Sequence, residues 1–266
     1  MSFSAAWLTL REPYDLRARN SAVMDALAAM FDGRSSVAVV DLACGTGSTL
    51  RALTQRLGGR QNWRLCDNDL SLLARAPQSA PPNLNVTTVP VDLNHDLEVA
   101  LDGPVDLVTT SALLDLVSEP WLERFAMETA ARRLPVYAAL SYDGRIEMTP
   151  TESSDAKIVA AVNTHQRTDK GFGPALGPLA ATAAVEHFKR VGYSVVQGLS
   201  DWTFGPDDRD IQLEVLSGWA AAVRELGTVP LGDVVYWLTR RRELVTAGRS
   251  SIRVGHIDFF AAPATL

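Results

Sequence analysis

A glycine-rich turn that follows an apolar run is the stretch of this sequence whose residue types and spacing best suit ligand binding: VAVVDLACGTG at 37–47. The apolar run suits a strand buried on both faces, because β-branched side chains pack well on a pleated sheet. Gly45 and Gly47 let the backbone turn sharply and approach a ligand closely. Ser48 and Thr49 suit the N-terminal cap of the helix that follows. The turn therefore predicts a site where a carboxylate or another polar ligand binds at a helix N-terminus.

Two nucleotide-binding motifs fit this turn imperfectly. The dinucleotide motif G-x-G-x-x-G needs a third glycine, so that the helix can pack close to the strand, and Leu50 stands at that position. A P-loop needs a Lys-Ser or Lys-Thr pair after its glycines, and none follows Gly47. The turn alone leaves the ligand open.

The segment Asp41–Gly47 resembles the first motif of class I S-adenosylmethionine (SAM) dependent methyltransferases, D/E-x-G-x-G-x-G, with Ala43 in place of one glycine. Further polar residues follow the next predicted strands in the order that this family shows. The resemblance implies SAM as the cofactor and S-adenosylhomocysteine as its product. The residues that we assign to the cofactor are Asp41, Ala43, Gly45, Gly47, Asp67, Asn68, Asp92, Leu93, Ser111 and Arg11.

Three of these residues follow successive predicted strands. Asp67 lies 20 residues after Gly47, where a carboxylate can accept hydrogen bonds from both ribose hydroxyls. Asp69, two residues further on, competes for this role. The resemblance places Asp92 against the adenine amino group and Ser111 beside the cofactor and the substrate.

An acid after a strand also has an ordinary structural explanation, since Asp side chains cap helices and form turns by accepting bonds from nearby amides. For Asp41, Asp67 and Asp92 the shared register favours cofactor binding. For Asp115, substrate binding and a structural role are both open.

The opening segment of the chain places aromatic and charged side chains ahead of a predicted helix at 16–31. Such segments often cover the cofactor in the family that the chain resembles. Arg11 would pair there with the methionine carboxylate through two parallel hydrogen bonds. The alternative is a surface salt bridge to Glu12 or Asp15. Tyr14 is a predicted substrate-binding residue of the same segment.

Tyr142, Asp143 and Arg145 directly follow the predicted fifth strand and should project from the ligand-binding edge of the sheet. Tyr142 and Arg145 are predicted to bind the substrate. Asp143 is a candidate catalytic base, or a group that orients a cationic substrate. Its alternative role is that of a β-turn Asp before Gly144.

The polar segment 163–174 contains glycines and a proline that do not suit a helix interior, and it is predicted to be a loop over the site. His165 is the second candidate base, because histidine titrates near neutral pH. A hydrogen-bonded structural histidine is the alternative. Arg167 and Lys170 are predicted to bind a substrate carboxylate or phosphate, with exposure to solvent as the alternative.

Alternation of strands and helices predicts an α/β fold with a doubly wound, mostly parallel seven-stranded sheet and ligands at the carboxyl ends of its strands. With 47% hydrophobic residues, the chain can bury one large core, so we expect a single domain. Its predicted parts are an N-terminal helical cap at 1–34, a SAM-binding core at 35–141 and a substrate side at 142–266. A helical insertion at 208–248 is predicted to be a lid or a dimer surface, and Trp219 and Trp237 within it are assigned to the core. Strands after the first are predicted at 62–66, 86–93, 104–110, 136–141, 193–197 and 252–260.

Charge and composition narrow the range of partners. A net charge of -6 argues against a general electrostatic grip on nucleic acid. The local exception, the arginine triplet 240–242, is predicted to be a solvated helix face. No window approaches the roughly 20 apolar residues that cross a bilayer, so we expect no membrane partner and a cytoplasmic protein. Cys44 and Cys66 lie within motifs rather than at metal-site spacings, so no metal site is expected, and Cys66 is predicted to line the cofactor pocket.

The whole sequence is also similar to a bacterial group of class I methyltransferases of unassigned substrate, through the segments LREPYD, HQRTDKGFGPALGP and VGHIDFFA. Together the resemblances predict in-line transfer of the SAM methyl group to an oxygen or nitrogen of a small molecule, with positioning as the main source of catalysis. A homodimer is one expected state. Two alternatives remain open: a SAM-binding regulatory or partner subunit that does not methylate, and a nicotinamide-dependent oxidoreductase.

Overall fold

Eight strands form one sheet in the computed structural model of the protein, which describes residues 3–81 and 84–264. The strands are β1 (Ser36–Leu42), β2 (Arg60–Asp67), β3 (Asn85–Pro90), β4 (Leu107–Ser111), β5 (Val136–Thr149), β6 (Tyr193–Leu199), β7 (Trp202–Phe204) and β8 (Ser251–Pro263). The helices are α1 (Ala5–Ala18), α2 (Ser21–Met30), α3 (Ser48–Leu53), α4 (Leu70–Leu73), α5 (Leu97–Ala100), α6 (Glu119–Ala131), α7 (Asp155–His165), α8 (Ala180–Arg190), α9 (Arg209–Leu226) and α10 (Leu231–Thr246). In the described part of the chain, no helix is both long and apolar enough to cross a membrane.

The strand order is β3-β2-β1-β4-β5-β8-β6. The first five strands of this order pair in parallel, β8 runs antiparallel to both β5 and β6, and β7 pairs with β8 alone. The order reverses at β1 and β4, and this is where parallel α/β sheets bind ligands, beyond the carboxyl ends of the strands. The predicted doubly wound, mostly parallel sheet is confirmed, and β7 adds a short eighth strand to the seven that were expected.

Helices cover both faces of the sheet, and the alternation of side chains along β1 shows why. Val40 and Leu42 pack into the core beneath α6 and α8, whereas Val37 and Val39 point to the opposite core, beneath α2 and α3. Successive strand residues point to opposite faces, so an unbroken apolar run requires a cover on each side.

A third apolar core lies beyond the carboxyl edge of the parallel strands, where β5 and β8 continue together. Tyr142 pairs with His256, and Ile146 with Val254, so this part of the sheet is an antiparallel ribbon that β7 widens. Helices α7, α9 and α10 pack on it, and α1 contributes to the same core. The prediction that the fifth strand ends at 141 was therefore wrong, because β8 supplies hydrogen-bonding partners that the local pattern of β5 does not reveal.

Two further boundaries differ from the sequence predictions. The single helix expected at 16–31 is two helices, because the Asn20 side chain caps α2 at Val23 and its backbone N–H donates to Asp258. The loop expected from 163 begins only after His165, the last residue of α7. The two helices predicted within 208–248 are present as α9 and α10.

The arginine triplet at 240–242 is not one solvated face, because Arg241 is fully buried. Its guanidinium donates to both carboxylate oxygens of Asp155 and, at 2.8 Å, to the carbonyl oxygen of Pro150. The indole of Trp237 donates to the same carboxylate at 2.9 Å. This buried pair joins α10 to the first turn of α7, and periodicity could not single out one arginine of three.

Replacing Arg241 by Met should lower the free energy of unfolding by about 3–5 kcal/mol, because the buried Asp155 carboxylate would lose its countercharge. The matched control is Arg242→Met, which removes an exposed neighbour and should cost less than about 0.5 kcal/mol. Urea denaturation of the two variants and the parent protein measures the difference. Equal losses would contradict a structural role for the Arg241–Asp155 pair.

Candidate functional site

A cavity of about 230 Å³ lies at the carboxyl edge of the sheet, where the glycine turn and the ends of β2, β3 and β4 meet α1. Its walls include ten of the residues singled out in the sequence: Arg11, Ala43, Gly45, Asp67, Asn68, Asp69, Asp92, Leu93, Ser111 and Lys170. We call it the first cavity. The fold brings Arg11 and Lys170, which are 159 positions apart in the sequence, to the same cavity.

The glycine turn has a left-handed backbone at three positions. The φ angles of Ala43, Gly45 and Gly47 are +52°, +54° and +82°. Alanine in this conformation costs about 1–2 kcal/mol, so the turn keeps a glycine-like shape at the position where the motif has lost its glycine. A Cβ atom on Gly45 would lie 3.2 Å from Cδ1 of Leu8, which shows how closely α1 covers the turn.

Asp67 connects the turn to the end of β2. It is almost buried, and its two carboxylate oxygens accept from the backbone N–H groups of Gly45, at 2.8 Å, and of Asp69, at 3.0 Å. A carboxylate can accept about four hydrogen bonds, so it retains capacity for a ligand in the cavity that it lines. Asp69 also lines the cavity, but its side chain caps α4 by accepting from Ser71 and Leu72.

Asp41 lies outside the lining of the cavity. It is fully buried, accepts from the Thr109 hydroxyl at 2.8 Å, and its Oδ2 has no hydrogen-bond partner among the described residues. Burial raises its pKa to about 7. Cys66 is likewise buried away from the cavity, whereas Cys44 lines a narrow extension of it. Burial raises the pKa of both thiols, for Cys66 to about 12, so neither has the character of a nucleophile.

Opposite ends of the first cavity carry different polar groups, an exposed carboxylate and a buried hydroxyl. At one end Asp92 is half-exposed, and a hydrogen bond from the His95 imidazole, at 2.9 Å, lowers the pKa of its carboxyl. At the other end Ser111 is the last residue of β4, and its buried hydroxyl has no hydrogen-bond partner in the described part of the chain. The narrow extension, about 40 Å³, continues from here between α1 and the start of α3.

Arg11 reaches from α1 into this extension. Its Nε donates to Asp15 at 2.9 Å, and the buried Asp15 also accepts from the Trp202 indole at 2.9 Å. The guanidinium carbon lies 5.9 Å from the centre of the Trp202 ring. The predicted alternative of a salt bridge to Asp15 is therefore present, but it is buried rather than at the surface. Among the described contacts, Arg11 makes it through Nε alone. The two Nη groups remain to bind a ligand.

A second cavity, of about 490 Å³, adjoins the first. Phe3, Arg11, Ala112 and Leu116 line both. The second cavity lies between α1, the β5–β8 ribbon, α7 and α9, and its size is within the range of roughly 300–1,000 Å³ that is typical of small-molecule sites. Most of its walls are apolar or aromatic, with indoles from Trp7, Trp202 and Trp219 and side chains of Leu140, Val162, Val215 and Val254.

Three polar side chains of the second cavity, those of Asp115, Tyr142 and His256, are buried. Asp115 is 6% exposed, its Oδ1 has no hydrogen-bond partner among the described residues, and burial raises its pKa to about 6. His256 donates from Nδ1 to the Val254 carbonyl oxygen at 3.1 Å, because a carbonyl oxygen can only accept. Burial lowers the pKa of His256 to about 3, which keeps the imidazole neutral. Tyr142 donates to Asn163 at 2.6 Å.

His165 and Lys170 meet where the two cavities approach each other. His165 lines the second cavity and Lys170 the first, and Lys170 Nζ lies 3.3 Å from His165 Nδ1. Lys170 also donates to Thr168 at 2.9 Å, and burial lowers its pKa. Glu225 lies 3.3 Å from the other imidazole nitrogen, without hydrogen-bond geometry. The imidazole is therefore in hydrogen-bond contact on its Nδ1 side, while its Nε2 has no hydrogen-bond partner among the described residues, and the residue borders the cavity.

Four residues predicted for the substrate or catalysis lie outside both cavities: Tyr14, Asp143, Arg145 and Arg167. Of the residues predicted for the cofactor, Gly47 lies outside both linings, as Asp41 does. Asp143 accepts three hydrogen bonds from Arg145, whose guanidinium also binds Asp201. A carboxylate enclosed in this way is not placed to take a proton from a substrate, so the geometry does not support Asp143 as a base. Tyr14 is likewise engaged, since its hydroxyl donates to Asp208 at 2.8 Å.

Several residues of the second cavity were not predicted from the sequence. His256 lies opposite Tyr142 across the β5–β8 ribbon, and Trp7, Trp202 and Trp219 come from three different elements. Only Trp219 was given a role, that of a core residue. The signal was available in part: His256 belongs to the VGHIDFFA segment that carried a family resemblance. Its place in the site depends on a strand pairing between positions more than 100 residues apart.

Comparisons with solved structures show which folds this architecture shares. The chain is similar to a cyclopropane-fatty-acyl-phospholipid synthase-like protein from Lactobacillus casei, with a TM-score of 0.56 and 13% identity over 98% of this chain and 94% of that one. It is similar to the cyclopropane synthase MmaA2 from Mycobacterium tuberculosis, with a TM-score of 0.52 and 11% identity over 98% of this chain and 94% of that one. Likeness at these identities establishes the fold.

The sequence itself adds a family match. Residues 39–135 match the family described as a methyltransferase domain, and this range contains most of β1, all of β2 to β4 and most of the residues that line the first cavity. A search of curated proteins found no significant match. About a third of the chain is therefore similar to methyltransferase domains, and the chain as a whole has the class I methyltransferase fold.

Proposed function

We propose that the protein is a SAM-dependent methyltransferase, with SAM in the first cavity and a small-molecule acceptor in the second. The observation that carries this proposal is the common wall of the two cavities at Arg11, Ala112 and Leu116. A methyl donor in one cavity and an acceptor in the other would meet there. The methyltransferase-domain match supports the choice of donor.

The residues of the first cavity suit each part of SAM. Asp67 would accept from the ribose hydroxyls, and Asp92 from the adenine amino group. The Nη groups of Arg11 would bind the methionine carboxylate in the narrow extension, where the unpartnered Ser111 hydroxyl also lies. When bound, SAM supplies an electrophilic methyl group on a sulfonium. The protein contributes chiefly by holding the acceptor in line with that methyl group, an arrangement that can remove several kcal/mol of the barrier.

The acceptor atom that we propose is an oxygen or nitrogen. Asp115 and His165 line the second cavity and could receive a proton from such an atom. Two alternatives remain testable: a SAM-binding protein without transferase activity, and a nicotinamide-dependent oxidoreductase. A SAM-binding protein without transferase activity would leave the 490 Å³ cavity without a role. A nicotinamide-dependent oxidoreductase would not explain why Leu50 stands where the dinucleotide motif has its third glycine.

Calorimetry with S-adenosylhomocysteine and with NAD separates the donor hypotheses. We expect S-adenosylhomocysteine to bind at one site per chain and NAD to give no heat of binding. Binding of NAD without binding of S-adenosylhomocysteine would overturn the proposed function. If the product binds, incubation with methyl-labelled SAM and a metabolite extract should give a labelled small molecule. A SAM binder without activity would give none.

Asp67→Asn should weaken binding of S-adenosylhomocysteine by about 30-fold, since a hydrogen bond to a charged group contributes roughly 1.5–3 kcal/mol. Because Asp67 also holds the glycine turn, a ligand comparison is needed: an analogue without one ribose hydroxyl should lose affinity for the parent protein and much less for the variant. The control is Asp69→Asn, which retains a good helix cap. Full affinity in Asp67→Asn with a loss in the control would transfer the ribose role to Asp69.

A further inference from the structure

The charges around the second cavity are unbalanced. Two carboxylates line it, Asp115 and the more exposed Glu214, whereas Glu225 and Lys170, which flank His165 close by, offset each other. Among the described lining residues the one guanidinium is that of Arg11. Its Nε is paired with the buried Asp15, and its Nη groups are those proposed to bind the methionine carboxylate in the narrow extension. An anionic ligand would find little compensation here, whereas a cation would be attracted.

Asp115 is the group most in need of a ligand. It lies in the short turn after β4, in the same segment as Ala112 and Leu116 of the wall that both cavities share. More than nine-tenths of it is buried, and its Oδ1 has no hydrogen-bond partner in the described part of the chain. A buried carboxylate oxygen without a donor is unfavourable, and a bound N–H donor would remove that cost.

The apolar and aromatic side chains that line the second cavity indicate what kind of ligand body fits there. Indoles of Trp7, Trp202 and Trp219 and several aliphatic side chains form most of the surface. Trp7 and Trp202 pack edge to face, with ring centres 6.3 Å apart. Flat apolar groups pack well against such rings, and the ring faces also attract cations.

We propose that the methyl acceptor is a small amine with a flat apolar body, which binds with its ammonium group at the Asp115 carboxylate and its body against the three tryptophans. This inference rests on the proposed function and deepens it by naming the acceptor class. It also assigns Asp115, rather than Asp143, as the residue that receives the proton. Alcohols and carboxylic acids of the same shape are the competing ligands that an experiment must exclude.

Methyl transfer to the bound amine begins with the loss of a proton from its ammonium group. An N–H proton of the bound ammonium passes to Asp115, which leaves a neutral amine nitrogen with a free electron pair. That nitrogen forms a bond to the methyl carbon as the carbon–sulfur bond breaks, and the electrons of the broken bond stay on sulfur. The product is a methylated ammonium, and the proton on Asp115 leaves to solvent after release.

The affinity for an amine should depend on pH. Groups that share the cavity with Asp115 are Arg11 on α1, Tyr142 on β5, His165 on α7, Glu214 on α9 and His256 on β8. Burial raises the pKa of Asp115 to about 6, and the backbone N–H of Asp115, the charge of Arg11 and the backbone N–H of Tyr142 oppose this rise. His256 stays neutral because burial lowers its pKa to about 3. The carboxylate that binds an ammonium therefore dominates above about pH 6 and is lost below it.

Three probes that share a phenyl ring and differ in charge test the proposal: phenethylamine, phenethyl alcohol and phenylpropanoate. Each is titrated by calorimetry into protein saturated with S-adenosylhomocysteine. We expect phenethylamine to bind at least tenfold more tightly than phenylpropanoate at neutral pH. Its affinity should fall by up to about tenfold for each pH unit below 6, because protonation removes the countercharge.

Asp115→Asn is the decisive variant because it keeps the size of the side chain. It should weaken phenethylamine binding at least tenfold, remove the pH dependence and leave the affinity for S-adenosylhomocysteine unchanged, since Asp115 does not line the first cavity. The control is Asp210→Asn, on the exposed surface of α9, which should match the parent protein. Thermal melting of both variants checks their folding.

Several results would overturn the inference. They are tighter binding of phenylpropanoate, equal affinities for all three probes, no binding of any probe, or unchanged phenethylamine affinity in Asp115→Asn. Loss of S-adenosylhomocysteine binding in the parent protein is a different result. It would overturn the proposed function, whereas a reversed preference among the probes with that binding intact would overturn only the amine acceptor.

Discussion

The antiparallel pairing of β5 with β8 beyond the parallel sheet is the constraint on which the second cavity of this protein depends. In the sheet proper, β8 lies between β5 and β6. Because both strands continue past the carboxyl edge, they carry Tyr142 and His256 above it as paired residues. Helices α7 and α9 then have a surface to cover, and the space left between them and α1 is the second cavity.

Helix α1 links the two halves of the site. On one side Leu8 packs over the glycine turn, and on the other Trp7 and Arg11 reach the second cavity. Asp15 holds this arrangement by pairing with Arg11 and accepting from the Trp202 indole on β7. A helix that contacts donor and acceptor sites through one buried network makes the position of each dependent on the other, which suits a reaction that needs in-line alignment.

The sheet and most walls of the first cavity could be predicted from sequence because their signals are local. Asp67 and Ser111 end two apolar strands, and parallel strands necessarily bring such residues to one edge. The second cavity could not, because it depends on pairing between distant parts of the chain. Asp143 was expected to face the ligand, but opposite Gly255 the β5–β8 pairing is irregular and Arg145 encloses the carboxylate. Arg241 shows the same limit, since one buried pair distinguishes it from identical neighbours.

The proposed function requires a methyl donor and an acceptor to meet at the wall shared by the two cavities. A crystal structure of the complex with S-adenosylhomocysteine would show whether the donor is placed to do so. We expect the ribose hydroxyls at Asp67, the carboxylate at Arg11, and the sulfur directed past Ala112 towards Asp115. A ligand bound elsewhere, or bound in the first cavity with its sulfur directed away from the second, would contradict the account.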